Sequence, residues 1–126
     1  MKPVPKISET EWEVMKVVWR QSPVSAGQVI EGLKTRDPSW HEQTVKTLLN
    51  RLIKKGALGY RKEGRAYSYR PLVSEDECVR AASQSFLQRV FGGSLQPLLA
   101  HFVESHNLSA KELNELARLL KRKERK

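Results

Sequence analysis

The chain has 126 residues and a formal net charge of +9 at pH 7, with 23 Lys and Arg against 14 Asp and Glu. This length allows one domain or two small ones, and the clustered cations favour a polyanionic partner over a generally basic surface. A single cysteine excludes an intrachain disulfide and suits a reducing cytoplasm. No apolar run approaches the ~20 residues of a membrane helix, and no apolar segment of a secretory signal follows the start MKPVPK. We therefore expect a cytoplasmic protein.

Two short helices are predicted in the first third of the chain. A capping box, in which a Ser caps a helix and a Glu or Gln lies three residues on, begins at Ser8 and again at Ser25. The first box predicts a helix from about Glu9 to Arg20, and the second predicts a helix that ends near Lys34. Their buried faces are expected to carry Trp12, Met15, Val18 and Trp19 in the first helix, and Val29, Ile30 and Leu33 in the second.

A third helix and a hairpin are predicted between Trp40 and Val73. Apolar residues recur at i, i+3, i+4 and i+7, which predicts a helix from about His41 to Lys55 that ends at Gly56. Ser39 and Glu42 also fit a capping box, so an earlier start is compatible with the pattern. Two short Tyr-rich runs, 58–62 and 66–70, joined through Glu63-Gly64, predict a β-hairpin. Trp40 is either a short strand that pairs with the hairpin or a packing residue.

A helix followed by a two-stranded hairpin is the second half of a winged helix-turn-helix. Eight Lys and Arg lie between Trp40 and Val73, against two acids. A polar, donor-rich helix face beside a basic hairpin is what a reader of duplex DNA requires. The predicted fold is therefore mainly α with a small β-hairpin wing, and residues 1–73 are expected to form a winged-helix DNA-binding domain.

Residues 74–126 are expected to form a second domain of three helices. Capping signals predict helices from about Glu75 to Phe91, from Ser94, and from Ser109 to a basic end at Lys121 to Lys126. These helices carry more apolar surface than three helices can hide from water, which predicts a homodimer held by this domain. The residues expected in the dimer contact are Phe86, Leu98, Leu99, Phe102, Leu113, Leu116 and Leu120.

Polar and cationic side chains of the third helix and the hairpin are the candidate contacts to an operator. Amide and cationic groups can donate to base edges, whereas Thr suits a phosphate or a thymine methyl. The hairpin residues could hold phosphate or enter the minor groove. The alternatives are an ordinary solvated helix face and a mobile basic turn. The candidates are Gln43, Thr44, Lys46, Thr47, Asn50 and Arg51 in the helix, and Arg61, Lys62, Arg65 and Tyr67 in the hairpin.

Several stretches resemble one known family. They are TVKTLLNRL at 44–52 followed by KGAL at 55–58, TEWEVM at 10–15, FVE at 102–104, and the pairs Leu108-Ser109 and Glu112-Leu113. These stretches, in their order along the chain and in the length of chain that they span, resemble the BlaI/MecI penicillinase-repressor family. The resemblance implies a winged helix, a helical dimerisation domain, and a homodimer on a dyad-symmetric operator that represses β-lactam-resistance genes. It also implies release when a membrane β-lactam sensor triggers proteolysis of the repressor in its fifth helix.

The chain departs from this family at two points. The members studied for proteolytic release carry Asn-Phe at the cleavage point, and the matching pair here is His101-Phe102. The copper-responsive, CopY-like branch ends in paired Cys-x-Cys motifs, whereas this chain ends in KRKERK and has no second Cys. Copper sensing by that route is therefore excluded. The basic end is interpreted as solvated, or otherwise as an auxiliary phosphate contact.

Catalytic and metal sites find no support in the sequence. His101 and His106 are five residues apart instead of the four of a helical pair, and His41 lies in the other domain. Cys78 is interpreted as a buried small residue or a helix-surface thiol in preference to a redox group. No nucleophile motif, Gly-rich phosphate loop or carboxylate pair is present, so we predict neither a cofactor nor an enzyme. The second functional class that remains is a winged-helix architectural or protein-interaction module with non-specific DNA affinity.

Overall fold

The computed structural model describes residues 4–105 and 108–124. It confirms a mainly helical chain with a small antiparallel sheet. Two compact units, Met1–Ser83 and Gln84–Lys126, divide the chain inside its fourth helix, whereas the predicted domain boundary lies ten residues earlier, at 73/74. In chain order the elements are α1 (Glu9–Gln21), β1 (Val24–Ser25), α2 (Ala26–Arg36), α3 (Glu42–Lys55), β2 (Leu58–Glu63), β3 (Ala66–Pro71), α4 (Glu75–Phe91), α5 (Leu95–Ser105) and α6 (Ala110–Glu124).

Local capping signals located the starts of α1 and α2 correctly. Ser8 Oγ accepts the Glu11 N–H at 3.3 Å, and the Ser8 N–H donates to Glu11 Oε1 at 2.8 Å. Ser25 and Gln28 form the same reciprocal pair at the start of α2. Each box satisfies two backbone N–H groups that a helix start or its cap would otherwise leave without a partner.

The capping box considered for α3 does not form. The N-cap of α3 is His41, whose side chain makes no capping bond. The Ser39 N–H and hydroxyl both donate instead to Asp37 Oδ1, at 3.0 and 2.7 Å. A short Asx turn thus occupies the groups that the box would have used.

The third strand of the sheet comes from Val24–Ser25 and not from Trp40. The strand order is β1-β3-β2, with Val24 opposite Tyr69 and Tyr60 on the other side of Tyr69. Ser25 has the extended backbone that an N-cap residue adopts, which lets it pair with β3 directly before α2 begins. Trp40 lies outside any strand and packs half-buried against the core. It therefore has the packing role, the second of the two predicted alternatives.

The core of the first unit lies between α1, α2, α3 and the sheet. The predicted inward faces of α2 and α3 are buried, but the predicted face of α1 is partly wrong. Val14 and Val17 are buried, whereas Trp12 and Trp19 are half-buried at the rim, with ring centroids 5.6 Å apart. A valine side chain fits the closely packed interior. An indole ring covers the edge of the core, where the indole N–H can reach a polar partner.

Glu11 is the buried charged side chain of the described residues, and it joins α1 to α3. The carboxylate is 1% exposed and accepts hydrogen bonds from the Ser8 N–H and from Lys55 Nζ. Lys55, the last residue of α3, also donates to the Lys6 carbonyl at 2.8 Å. Burial alone would raise the pKa of Glu11, but the hydrogen bonds from Lys55 and Ser8 hold that pKa below its ordinary value.

The second unit differs from the first in the burial of its side chains. None of its described side chains is buried. Leu98, Leu99 and Leu116 are half-buried, and four apolar residues of the predicted dimer contact are exposed by 42% to 55%: Phe86, Phe102, Leu113 and Leu120. The apolar faces of these helices therefore remain in contact with solvent in the single chain.

The Glu11 interaction predicts a pH-dependent loss of stability. A folded pKa below the ordinary value of 4.5 means that the carboxylate stabilises the fold above that pH and ceases to do so as the pH falls through the folded value. Because the Lys55 side chain is 35% exposed, Glu11→Gln should cost only about 1–2 kcal/mol at neutral pH. Urea unfolding at about pH 7 and about pH 3 should show this difference shrinking in acid.

Glu13→Gln supplies the matched control in the same helix. Glu13 pairs with Arg36 at 3.5 Å, with side chains 40% and 56% exposed, so its loss should cost less than about 0.5 kcal/mol. An equal cost for the two variants at neutral pH, or a Glu11→Gln deficit that persists unchanged in acid, would contradict this account.

Candidate nucleic-acid interface

Helix α3 divides cleanly into a buried row and an exposed stripe. Val45, Leu48, Leu49 and Leu52 are at most 4% exposed and hold the helix against α1 and α2. Gly56 ends the helix with φ of +83°, and the Ala57 N–H donates to the Leu52 carbonyl at 2.9 Å. All six helix residues predicted to contact DNA lie on the exposed part of α3: Gln43, Thr44, Lys46, Thr47, Asn50 and Arg51.

The exposed stripe offers a defined set of hydrogen-bonding groups. Thr47 Oγ1 donates to the Gln43 carbonyl at 2.9 Å, so its proton is already used within the helix. The group that Thr47 presents to a partner is then its methyl, which suits a thymine methyl better than a phosphate. Within the described chain, the side chains of Gln43, Lys46 and Asn50 make no hydrogen bond or ion pair. Their donors are therefore available to base edges.

The four candidate residues of the hairpin are exposed but do not share one face. The register pairs Lys62 with Tyr67 and Arg61 with Ser68, and alternate residues of a strand point to opposite faces. Lys62 and Tyr67 thus lie on one face and Arg61 on the other, while Arg65 lies in the turn between the strands. Gly64 in that turn has φ of +66°, which favours glycine.

The hairpin face that carries Tyr67 forms a cleft with α3. This cleft has a volume of about 330 Å³ and is lined by Asn50, Ile53, Lys54, Tyr60, Tyr67 and Tyr69. The Tyr60 and Tyr67 rings lie edge to face with centroids 5.3 Å apart. Burial, with Tyr67 and Tyr60 close by, raises the pKa of Tyr69, so its phenol stays protonated at neutral pH.

Sequence reasoning missed Tyr60 and Lys54 as members of the candidate site. The signal that could have found Tyr60 is the strand alternation combined with the hairpin register, which places it diagonally across from Tyr67. Lys54 lies in the last turn of α3 and is exposed. Its membership depends on how the hairpin folds back on α3, which the local pattern does not fix.

The electrostatics of this surface are dominated by unpaired cations. Of the eight Lys and Arg between Trp40 and Val73, Lys55 is held by Glu11. Among the described residues, the other seven have no carboxylate within 4.0 Å. These seven side chains are exposed and available to phosphate: Lys46, Arg51, Lys54, Arg61, Lys62, Arg65 and Arg70.

The histidines and the single cysteine are the other candidate groups in the chain. The residues at 4–105 and 108–124 bring together no group of three His, Cys, Asp or Glu, and His106 lies outside these ranges. Cys78 is 2% exposed, which favours the buried alternative, and burial together with Glu77 raises the pKa of its thiol. No helix in the described part of the chain is both long and apolar enough to cross a membrane.

Known proteins resemble the chain over nearly its whole length. The penicillinase repressor of Bacillus licheniformis is 42% identical over 120 residues, which cover 95% of this chain and 93% of that protein. The methicillin resistance regulatory protein MecI of Staphylococcus aureus (strain N315) is 35% identical over 118 residues, 94% of this chain and 95% of that protein.

Solved structures match part of the chain. The solution structure of the DNA-binding domain of the repressor BlaI has a TM-score of 0.54 at 45% identity. The solution structure of the Bacillus licheniformis BlaI monomeric form in complex with the blaP half-operator has a TM-score of 0.51 at 44% identity. Each match covers 61% of this chain and 93% of the solved chain, and together they confirm the winged-helix fold. The sequence model of the penicillinase repressor family matches residues 7–122, so the chain belongs to that family, as its motifs indicated.

Proposed function

We propose that this chain is a sequence-specific DNA-binding transcriptional repressor that acts as a homodimer on a dyad-symmetric operator, probing the duplex with α3 and the hairpin. The regulated genes are those of β-lactam resistance or related functions. The observation that carries the proposal is the exposed donor stripe of α3 beside seven unpaired cations. Membership of a repressor family agrees with the prediction that the chain is not an enzyme. A protein that binds an operator works where the DNA is, so we locate it in the cytoplasm.

Helix α3 takes the role of the recognition helix. At about 100° per residue, Gln43, Lys46, Thr47 and Asn50 fall opposite the buried row, whereas Thr44 and Arg51 lie on one flank. The central four would meet base edges in the major groove, and the flanking pair would meet the phosphates beside it. The Bacillus licheniformis BlaI monomeric form, which is 44% identical to the matched part of this chain, was solved in complex with a half-operator, and this supports the role.

The hairpin supplies contacts that do not depend on sequence. Arg61, Lys62 and Arg65 are exposed cations, and Tyr67 presents a phenol beside Lys62 on one face of the hairpin. Because Arg61 points to the opposite face, the hairpin can touch phosphates on both of its sides. Such contacts fix the register of the protein on the duplex.

Substitutions should separate the two kinds of contact. Asn50→Ala removes an uncharged base-edge donor and should cost about 1–3 kcal/mol on the operator while leaving binding to random DNA nearly unchanged. Lys46→Ala also removes a charge, so it should weaken binding to both duplexes but cost more on the operator. Arg65→Ala should weaken binding to every sequence alike, because it removes a phosphate contact. Titration of each variant against operator and scrambled duplexes measures both effects. Equal losses on both duplexes for Asn50→Ala would show that α3 does not read bases.

Operator binding should fall steeply with salt. If about four of the seven unpaired cations in each subunit touch phosphate, a dimer neutralises about eight charges, and the slope of log K against log salt is about −7. Affinity measured at several salt concentrations gives this slope. A value shallower than about −2 would contradict the phosphate contacts.

The alternative function is an architectural or protein-interaction module with non-specific DNA affinity. The stripe of amide and hydroxyl groups on α3 favours the specific reader, since phosphate binding alone needs only cations. Competition separates the two: a repressor keeps its operator in an excess of random DNA, whereas an architectural protein is displaced.

The second unit is proposed to hold the homodimer. Its apolar residues on α5 and α6 are exposed or half-buried in the single chain, and a unit this small buries too little surface to be stable alone. A second copy of the same unit presents the same apolar faces, as a two-fold interface requires. The residues proposed to meet are Phe86, Leu98, Leu99, Phe102, Leu113, Leu116 and Leu120.

Charge placed on this face should separate the dimer. Replacing Leu116 and Leu120 by Asp would bury unpaired charges and should give monomers with weakened affinity for the full operator. Replacing Lys111 and Arg118, on the other side of α6, by Gln changes the net charge by the same amount and should leave the dimer intact. Sedimentation at micromolar concentration measures both. A wild-type chain that sediments as a monomer would exclude the proposed dimer.

Release is proposed to follow a cut between His101 and Phe102 by a membrane β-lactam sensor protease or a protease that it activates. In the single chain both residues are exposed and no described residue of α5 is buried, so the bond becomes accessible whenever the dimer contact at Phe102 opens. A cut there separates α6 from the rest of the chain. Since a dimer gains by joining two half-sites, its loss lowers operator affinity more than the lost contacts alone would.

Exposure of the source cells to a β-lactam tests this release. Intact mass should reveal a fragment that ends at His101 as the target genes are induced, and His101→Asn should be cut at least as fast if the protease reads an amide there. Induced genes with only full-length protein would reject proteolysis and indicate a bound inducer.

A further inference from the structure

The first unit carries the proposed DNA contacts and is called the DNA-binding unit below. Two hydrogen bonds tie the segment between the hairpin and α4 to the rest of this unit. The Leu72 N–H donates to the carbonyl of Ala57, just after α3, at 2.9 Å. The indole N–H of Trp19, on α1, donates to the Val73 carbonyl at 3.0 Å. The second bond joins residues 54 positions apart and comes from a side chain, so one substitution can remove it.

The first turn of α4 is capped locally and belongs to the same unit. The Ser74 hydroxyl accepts the Glu77 N–H at 3.1 Å, and the Glu77 carboxylate accepts the Ser74 N–H at 3.1 Å, which closes a capping box. Val73 packs against the core, and Cys78 is 2% exposed. After Cys78 no residue of α4 is buried. The buried part of α4 is therefore confined to its first turn, which follows the bond from Trp19 to Val73 directly in the chain.

This anchorage has a consequence for a protein that reads two half-sites. In a dimer, the two recognition helices must match half-sites that are one turn of the duplex apart, about 34–36 Å, or a multiple of it. One added base pair moves a half-site by about 3.4 Å and rotates it by about one-tenth of a turn. A dimer rejects that shift only if each DNA-binding unit holds the start of its α4 in one place.

We propose that Trp19 is a positioning residue that fixes the start of α4 on the DNA-binding unit and thereby sets the half-site spacing that the dimer accepts. The inference rests on the proposed function as a dimer on a dyad-symmetric operator. Trp19 lies outside the residues proposed to touch DNA or the second copy. Substitution of Trp19 should therefore change the relative affinities for duplexes of different half-site spacing and leave the affinity for a single half-site unchanged.

Trp19→Phe tests the role of the indole N–H, because it keeps an aromatic ring at the rim of the core and removes the donor. Trp12→Phe is the matched control: it alters the other ring of the tilted Trp12–Trp19 pair and leaves the bond to Val73 in place. If Trp19→Phe does not fold, benzothienylalanine at position 19 replaces the indole N–H by sulfur within a ring system of the same size.

The probes are duplexes recovered from random DNA by the full-length wild-type protein. Four are compared: the dyad-symmetric duplex, the same duplex with one base pair added or removed at its centre, and a single half-site. Trp19→Phe should bind the half-site within about twofold of wild type. It should bind the symmetric duplex about threefold to tenfold more weakly, and its preference for the native spacing should fall by a similar factor. Trp12→Phe should match wild type on all four duplexes.

Several results would overturn the inference. Equal losses on the half-site and the full duplex would make Trp19 a residue of stability alone. An unchanged spacing preference in Trp19→Phe, or the same loss in Trp12→Phe, would remove the role of the N–H. A wild-type protein that binds all spacings equally, yet binds the symmetric duplex more tightly than the single half-site, would overturn the inference and leave the dimer intact. A wild-type protein that binds the symmetric duplex no more tightly than the half-site would fail the dimeric function itself, and this failure is visible without any variant.

Discussion

The apolar row of α3 is the constraint on which the DNA-binding unit depends. Because Val45, Leu48, Leu49 and Leu52 must lie against α1 and α2, helical geometry leaves a single choice of the side chains that face outward. The same packing brings Lys55, the last residue of α3, to Glu11. It also places the hairpin against the C-terminal end of α3. Burial of four aliphatic side chains thus determines which groups of α3 a duplex could meet, before any charge is considered.

Much of the fold could be predicted because its signals are local. Capping boxes at Ser8 and Ser25, the apolar period of α3 and the turn at Gly64 each act within a few residues, and each was identified correctly. The strand that completes the sheet, in contrast, is decided by distant residues. The third strand depends on pairing with a hairpin more than forty residues away, so Trp40 and Val24 could not be distinguished by propensity.

The candidate site shows the same difference between local signals and contacts of distant residues. The stripe on α3 follows from one helical period, so its six residues could be identified from the sequence and all are exposed. The hairpin residues were identified from composition, which says nothing of faces. The pairing register separates Arg61 from Lys62 and Tyr67, and it brings Tyr60 and Lys54 into a cleft that composition does not reveal. In the second unit, the amphipathic pattern identifies apolar faces without identifying what covers them.

Ser25 performs two tasks whose combination affects how the DNA-binding unit opens. Its hydroxyl caps α2 by accepting the Gln28 N–H, and its backbone pairs with Ser68 in the edge-to-centre contact of β1 with β3. Fraying of the first turn of α2 and detachment of β1 are consequently not independent events, because both release the same residue. Helix α2 and the hairpin are thus joined through one residue, so a thermal fluctuation that opens one weakens the hold on the other.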